Sequence, residues 1–185
     1  MFQQLHSWML AQYHEGIIAL SACIAGEIPR KLSVGDLTGA EKSLDDYLEI
    51  FGPENFFLEL MDHNMPEEKE VNPKIIELAR RRNIPLVATN DVHYMRKDDA
   101  EAHEIMLCVQ TGDKLNNDKH FRFPTREFYF KSPEEMEEIF KDIPEALSNT
   151  KLICDRCSAD PVKFDYKTNH YPVFYMPDGY LLHSC

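Results

Sequence analysis

Short apolar runs alternate along the chain with stretches whose apolar residues recur every three to four positions. Ile17-Ile18-Ala19-Leu20 is a continuous apolar run after Gly16 and predicts a buried strand. A helix is expected from about Asp36, capped by Asp36 or Thr38. Its inner residues would be Leu44, Tyr47, Leu48 and Phe51, and Gly52-Pro53 would end it. Phe56 to Leu60 predicts a second strand. From about Pro66 to Arg82 the stripe Val71, Ile75, Ile76, Leu78 and Ala79 predicts a helix, with Arg80-Arg81-Arg82 at the end that favours cations. Ile84 to Thr89 reads as a third strand, apolar throughout. A helix over Asp99 to Gln110 would carry Ala102, Ile105, Met106 and Val109 on one side and stop at Gly112. Thr111 to Arg126 reads as a polar loop and Phe128-Tyr129-Phe130 as a short strand. Ser132-Pro133-Glu134-Glu135 combines a cap, a first-turn proline and acidic residues, the signature of a helix start. A last helix is expected over Pro144 to Cys157, and Pro161 to Cys185 as an extended connector.

Strand, helix, strand, helix, strand at this spacing predicts right-handed βαβ units, hence an α/β fold with a parallel sheet. Continuous apolar strands fit a sheet buried on both faces. Active sites of such folds lie beyond the carboxyl ends of the strands.

Composition narrows the function classes. Of 185 residues, 20 are Lys or Arg and 32 are Asp or Glu, a net charge of −12. Bulk electrostatic attraction to nucleic acid is excluded, although membership of a larger nucleic-acid enzyme is not. The longest apolar stretch, Gly16 to Gly26, falls well short of the roughly 20 residues needed to cross a bilayer, so no membrane partner is expected. Five cysteines without framework spacing fit a reducing compartment, and a cytoplasmic location is expected.

The sharpest chemical signal is Thr89-Asn90-Asp91-Val92-His93, at the end of the third strand. In extended chain Asp91 and His93 point the same way. A hard oxygen beside an imidazole suits Zn, Mn or Fe. The same two residues also serve as caps for the loop and the helix after it. Cys23 ends the first apolar run, where a lone cysteine is commonly a small buried hydrophobe. Glu59, Asp62 and His63 leave the second strand toward the same edge and could support ligands or simply cap the turn. His103, on the following helix, reads as packed beside the site. Cys154 and Cys157 lack the second pair that a zinc site requires.

Four segments together carry a resemblance: YHEGIIALSACIAGEIPR, FGPENFFLELMDHNMPEE, IPLVATNDVHYMRKDDAEAHEIMLCVQTG and FYFKSPEEMEEIF. They resemble, in order and over Leu10 to Gly179, the alpha-subunit family of the bacterial replicative DNA polymerase III. The matching region is the latter part of its N-terminal PHP (polymerase and histidinol phosphatase) domain. The resemblance implies a distorted (β/α)7 barrel with a parallel sheet, incomplete at its N-terminal side and leaving an open strand edge. It implies a partial PHP domain over residues 1–160 and a connector toward the polymerase palm over 161–185.

Cys23, Asp91 and His93 match metal-ligand positions of that family, which raises Cys23 from a packed hydrophobe to an expected ligand. Glu59, Asp62 and His63 match a family motif to which no ligand role is attached. The family's opening His-x-His and its palm carboxylates have no counterpart in this chain, and the final YLLHSC departs from the pattern. The resemblance therefore implies a fragment of a replicative polymerase, carrying part of a metal-dependent phosphoesterase or 3′→5′ exonuclease site. The fragment alone is expected to be inactive. The parent would use Mg for synthesis and would have DNA, a proofreading exonuclease subunit and a sliding clamp as partners. The alternatives are a stand-alone PHP-type phosphoesterase and a non-catalytic docking and stability module.

Overall fold

A computed structural model describes residues 7–159, together with 161, 167–169 and 171. Three strands, β1 (Ala19–Leu20), β2 (Phe56–Leu60) and β3 (Leu86–Ala88), form one parallel sheet in chain order. Ala19 stands opposite Phe56, and Leu58 opposite Leu86. β2 is buried along its whole length, as a parallel strand covered on both faces should be.

The outer strands are shorter than the apolar runs that announce them, for local reasons. Ile17 is held in a turn by a bond from its N–H to the His14 carbonyl, so pairing starts at Ala19. Pro85 has no N–H to give and only accepts, from Leu58 N–H at 3.0 Å. Beyond Ala88 one ladder bond remains, Thr89 N–H to the Leu60 carbonyl, before Asp91 takes a positive φ of 44°. The expected strand Phe128–Phe130 reduces to a single bridge, Tyr94 to Tyr129.

Helices flank the strands: α1 (Ser7–Gln12), α2 (Glu27–Ser33), α3 (Leu37–Phe51), α4 (Pro66–Arg82), α5 (Ala100–Thr111), α6 (Pro133–Ile139) and α7 (Pro144–Ala159). A 3₁₀ turn, Lys97–Asp99, precedes α5. Asp36 caps α3 by accepting from Gly39 N–H, and Gly52 ends it at φ 78°, open to glycine at little cost. Ser132 and Glu135 form a reciprocal capping box on α6.

α2 has no counterpart in the sequence pattern. It is a seven-residue helix with an internal proline, too short to stand alone. Tertiary contacts hold it: Ile28 and Leu32 are in the core, and Glu27 accepts from Lys31 Nζ, Ser43 Oγ and Tyr47 Oη, tying α2 to α3. The core joins these residues to Ala40 and Leu44 of α3, Leu58 and Leu60 of β2, Val71, Ile75 and Leu78 of α4, and Ala146 of α7.

The two sheet edges differ. On β3, the carbonyls of Leu86 and Ala88 point away from β2. α7 satisfies both, through Asn149 Nδ2 at 2.8 Å and Thr150 Oγ1 at 3.0 Å. On β1, the outward edge has no strand partner among the described residues, so the sheet is open, as in part of a (β/α) barrel. α5 departs from expectation: Ile105, Met106 and Val109 are exposed, while Cys108 is buried. The helix docks instead through Ala100 and His103 against Tyr94 and Phe123. Periodicity identifies residues that share a side, not whether anything covers that side. The expected connector over 161–185 lies almost wholly outside the described residues.

Glu27 is held down from 4.5 to about 2, chiefly by the Lys31 and Ser43 hydrogen bonds. A depressed carboxyl stabilises the fold above pH 4.5 and loses that contribution as pH falls toward 2. Urea midpoints measured between pH 5 and 2 should therefore fall less steeply in Glu27→Gln than in the wild type. Thr150→Val would leave the Ala88 carbonyl without its partner. We expect a loss of about 1–3 kcal/mol in urea unfolding, with an unchanged slope.

Candidate metal centre

Parallel pairing sends the turns after β1, β2 and β3 to the same edge of the sheet. Each of them contains a non-glycine residue in the left-handed region: Ala22 (φ 64°), Asn64 (φ 61°) and Asp91 (φ 44°). Such residues cost roughly 1–2 kcal/mol each and persist where surroundings impose them, often at functional sites. The β1 turn is also tight. A Cβ on Gly26 would lie 2.3 Å from the Ser21 carbonyl oxygen, so only glycine fits there.

Asp91 and His93 meet at this edge, Asp91 Oδ1 lying 3.4 Å from His93 Nε2. Both are partly exposed, at 40% and 37%. The His93 ring is fixed by the edges and faces of its neighbours, with centroids 4.6 Å from Phe123, 5.8 Å from Phe128 and 5.5 Å from His103. Its backbone N–H donates to the Phe128 carbonyl at 2.8 Å. His103 is shifted below its ordinary value, first by burial and then by His93. Beside it lies a cavity of about 190 Å³ lined by Tyr94, His103, Glu104, Arg122, Phe123 and Arg126, among others.

Cys23 is on the same edge, but β2 stands between its turn and that of Asp91. Among the described residues no three His, Cys, Asp or Glu side chains gather around a single point. Cys23, Glu59 and Asp91 follow strand order along this edge as a row, with Glu59, on β2, in the middle. It lines the small space that Cys23 also borders. Its carboxylate accepts from Thr89 Oγ1 at 2.5 Å and from Ala22 N–H. Burial raises its pKa, the two hydrogen bonds oppose that, and the Asp91 charge adds to the rise. Asp62 caps its own turn, accepting from Asn64 N–H at 2.8 Å.

His63 is the most enclosed of the expected residues, at 1% exposure. Its Nδ1 faces Glu68 Oε1 at 2.6 Å and its Nε2 faces the Asn90 carbonyl at 2.9 Å. A carbonyl only accepts, so Nε2 donates. Glu68 also accepts His63 N–H through its other oxygen, Oε2, at 2.6 Å. Burial disfavours a charged ring, but the Glu68 and Asn90 hydrogen bonds outweigh it and raise the pKa above 6.5. Lys131, also buried, donates to Asn90 Oδ1 at 3.1 Å and to the Glu127 carbonyl; burial pulls its pKa down. Glu68, Asn90, Phe128 and Lys131 were not named as site residues from the sequence. Only Glu68 left a signal, as an acidic residue in the first turn of a helix that begins with proline.

Residues 2–63 match the PHP domain family. Over 150 residues, 81% of its length, the chain is 45% identical to DNA polymerase III subunit alpha of Treponema pallidum. It is 40% identical to the Thermus aquaticus subunit over 174 residues, 92% of its length. To that of Mycobacterium tuberculosis it is 39% identical over 184 residues, 96% of its length. The chain spans only 13%, 14% and 16% of these relatives. The chain is thus an α/β protein with a PHP-family match over residues 2–63, similar over most of its length to a segment of DNA polymerase III subunit alpha.

Because Glu68 and His63 are each other's hydrogen-bond partners in the core, removing one leaves the other buried without its partner. Glu68→Leu should cost about 3–5 kcal/mol in urea unfolding. A group whose pKa is raised on folding stabilises fully below its unfolded value and loses that contribution as pH rises through the folded one. Wild-type stability should therefore decline above pH 6.5, where Glu68 and the Asn90 carbonyl favour the charged ring and Lys131 opposes it. That slope should be absent in Glu68→Leu.

Proposed function

We propose that this chain serves DNA replication as the PHP-bearing part of a polymerase of the subunit alpha type, and that its carboxyl sheet edge is a divalent-metal site acting on phosphodiesters. The observation that carries the reading is the Asp91–His93 pair, a carboxylate oxygen and an imidazole nitrogen 3.4 Å apart, both reachable from solvent. This donor set suits Zn, Mn or Fe. Asp91 and His93 would hold the ion; Cys23 and Glu59 lie along the row where further ions would sit. A bound ion would supply Lewis-acid polarisation of a phosphate oxygen.

The chain's own residues would do the rest. The Phe123 and Phe128 rings fix the imidazole plane, and the Phe128 carbonyl fixes the His93 backbone. Arg122 and Arg126 line the adjoining cavity and place cations where a nucleic-acid phosphate would approach, on a chain otherwise strongly acidic. Exonucleolytic removal of nucleotides in the 3′→5′ direction is the reaction this arrangement would serve. DNA, a proofreading exonuclease subunit and a sliding clamp would be partners of the whole polymerase. The compartment would be the cytoplasm. Among the described residues no helix is long and apolar enough to cross a membrane.

Mn²⁺ binding to the full chain, followed by electron paramagnetic resonance, tests the site. Saturable binding is expected, weakened at least tenfold in Asp91→Asn and in His93→Ala and little changed in Asp62→Asn. Equal binding by all four proteins would overturn the assignment. Primer extension with Mg²⁺ and four nucleotides should give no product.

A further inference from the structure

The Asn90–His93 turn is held from beneath by one buried side chain. His63 Nε2–H donates to the Asn90 carbonyl at 2.9 Å, where the turn leaves β3. The same ring stacks on Phe128, centroids 4.0 Å apart and planes 7° from parallel. The Phe128 carbonyl in turn receives His93 N–H at 2.8 Å, where the turn ends. One imidazole thus touches both anchors of the segment that bears Asp91 and His93. The grip is itself held firm. Glu68 binds the ring Nδ1 and the backbone N–H, and Thr125 Oγ1 donates to the His63 carbonyl at 2.8 Å. Between the anchors Asp91 has a left-handed φ of 44°, a conformation an unrestrained aspartate would tend to leave.

We infer that His63 is a positioning residue for the metal centre: through the Asn90 carbonyl and Phe128 it sets the turn on which Asp91 and His93 converge, without itself touching an ion. The inference rests on the metal reading above for its consequence, though not for its geometry. Supporting residues of this kind typically change metal affinity 10- to 100-fold when replaced. Sequence spacing does not disclose the link, because 27 positions separate His63 from Asn90.

The test compares the full wild-type chain with His63→Gln by Mn²⁺ titration and by amide hydrogen exchange. The expected result is a 10- to 100-fold rise in Kd. Exchange at His93 N–H should accelerate, while the amides pairing β2 with β3 stay as protected as in the wild type. Unchanged affinity together with unchanged His93 exchange would overturn the inference. So would acceleration spread evenly over the sheet, which marks a merely structural role. If wild-type chain binds no Mn²⁺, the metal reading fails alone, and His93 exchange still judges the positioning role. Should H63Q fail to unfold cooperatively, wild-type chain decides. The His63 Nε2–H proton should exchange slowly and open in step with His93 N–H as sub-denaturing urea is raised. His93 opening well before the ring would overturn the proposal.

Discussion

Parallel pairing of β1 and β3 on either side of β2 is the constraint from which the remaining structure follows. β2 gives its backbone bonds to both neighbours and is buried end to end. Parallel strands must leave the sheet at the same edge, so three turns that are distant in sequence become neighbours in space. Ser21 shows how closely they are coupled. Its N–H donates to the Phe57 carbonyl, and its hydroxyl accepts from Glu59 N–H at 2.8 Å. The first turn is thus tied to the second strand at the position where the site begins.

The row Cys23, Glu59, Asp91 records strand order. Each residue belongs to a different strand or its turn, and the spacing of the sheet keeps neighbours apart by about one interstrand distance. Glu59 gains its importance here from being central, buried and within the field of Asp91, none of which depends on its own sequence neighbours.

Among the described residues no buried side-chain nitrogen or oxygen lacks a partner. The His63–Glu68 pair, Lys131 on Asn90, and Asn149 and Thr150 on the edge of β3 achieve this between elements, not within them. Since an unsatisfied buried group costs on the order of 1–3 kcal/mol, these bonds choose how helices and turns seat on the sheet. They do so more selectively than apolar contact, which is indifferent to register.

The sequence by itself determined the elements whose signals are local. Phe56–Leu60 and Pro66–Arg82 appear in the structure with the expected limits, and α3 starts at its Asp36 cap and stops at Gly52. Local steric rules and hydrophobic periodicity suffice for these. The adjacency of Asp91 and His93 was likewise legible, two residues apart at a strand end, although Asp91 is left-handed and not extended as expected. Tertiary structure alone decided the rest. It stabilised α2 through Glu27, although seven residues cannot hold a helix unaided. It left Ile105, Met106 and Val109 of α5 facing outward, because periodicity does not name a partner. It put β2 between the turns that carry Cys23 and Asp91, since strand order is a property of the assembled sheet. It also placed His63 beneath a turn 27 residues later, a contact only the packing of α4 and the 125–131 segment against the sheet edge could create.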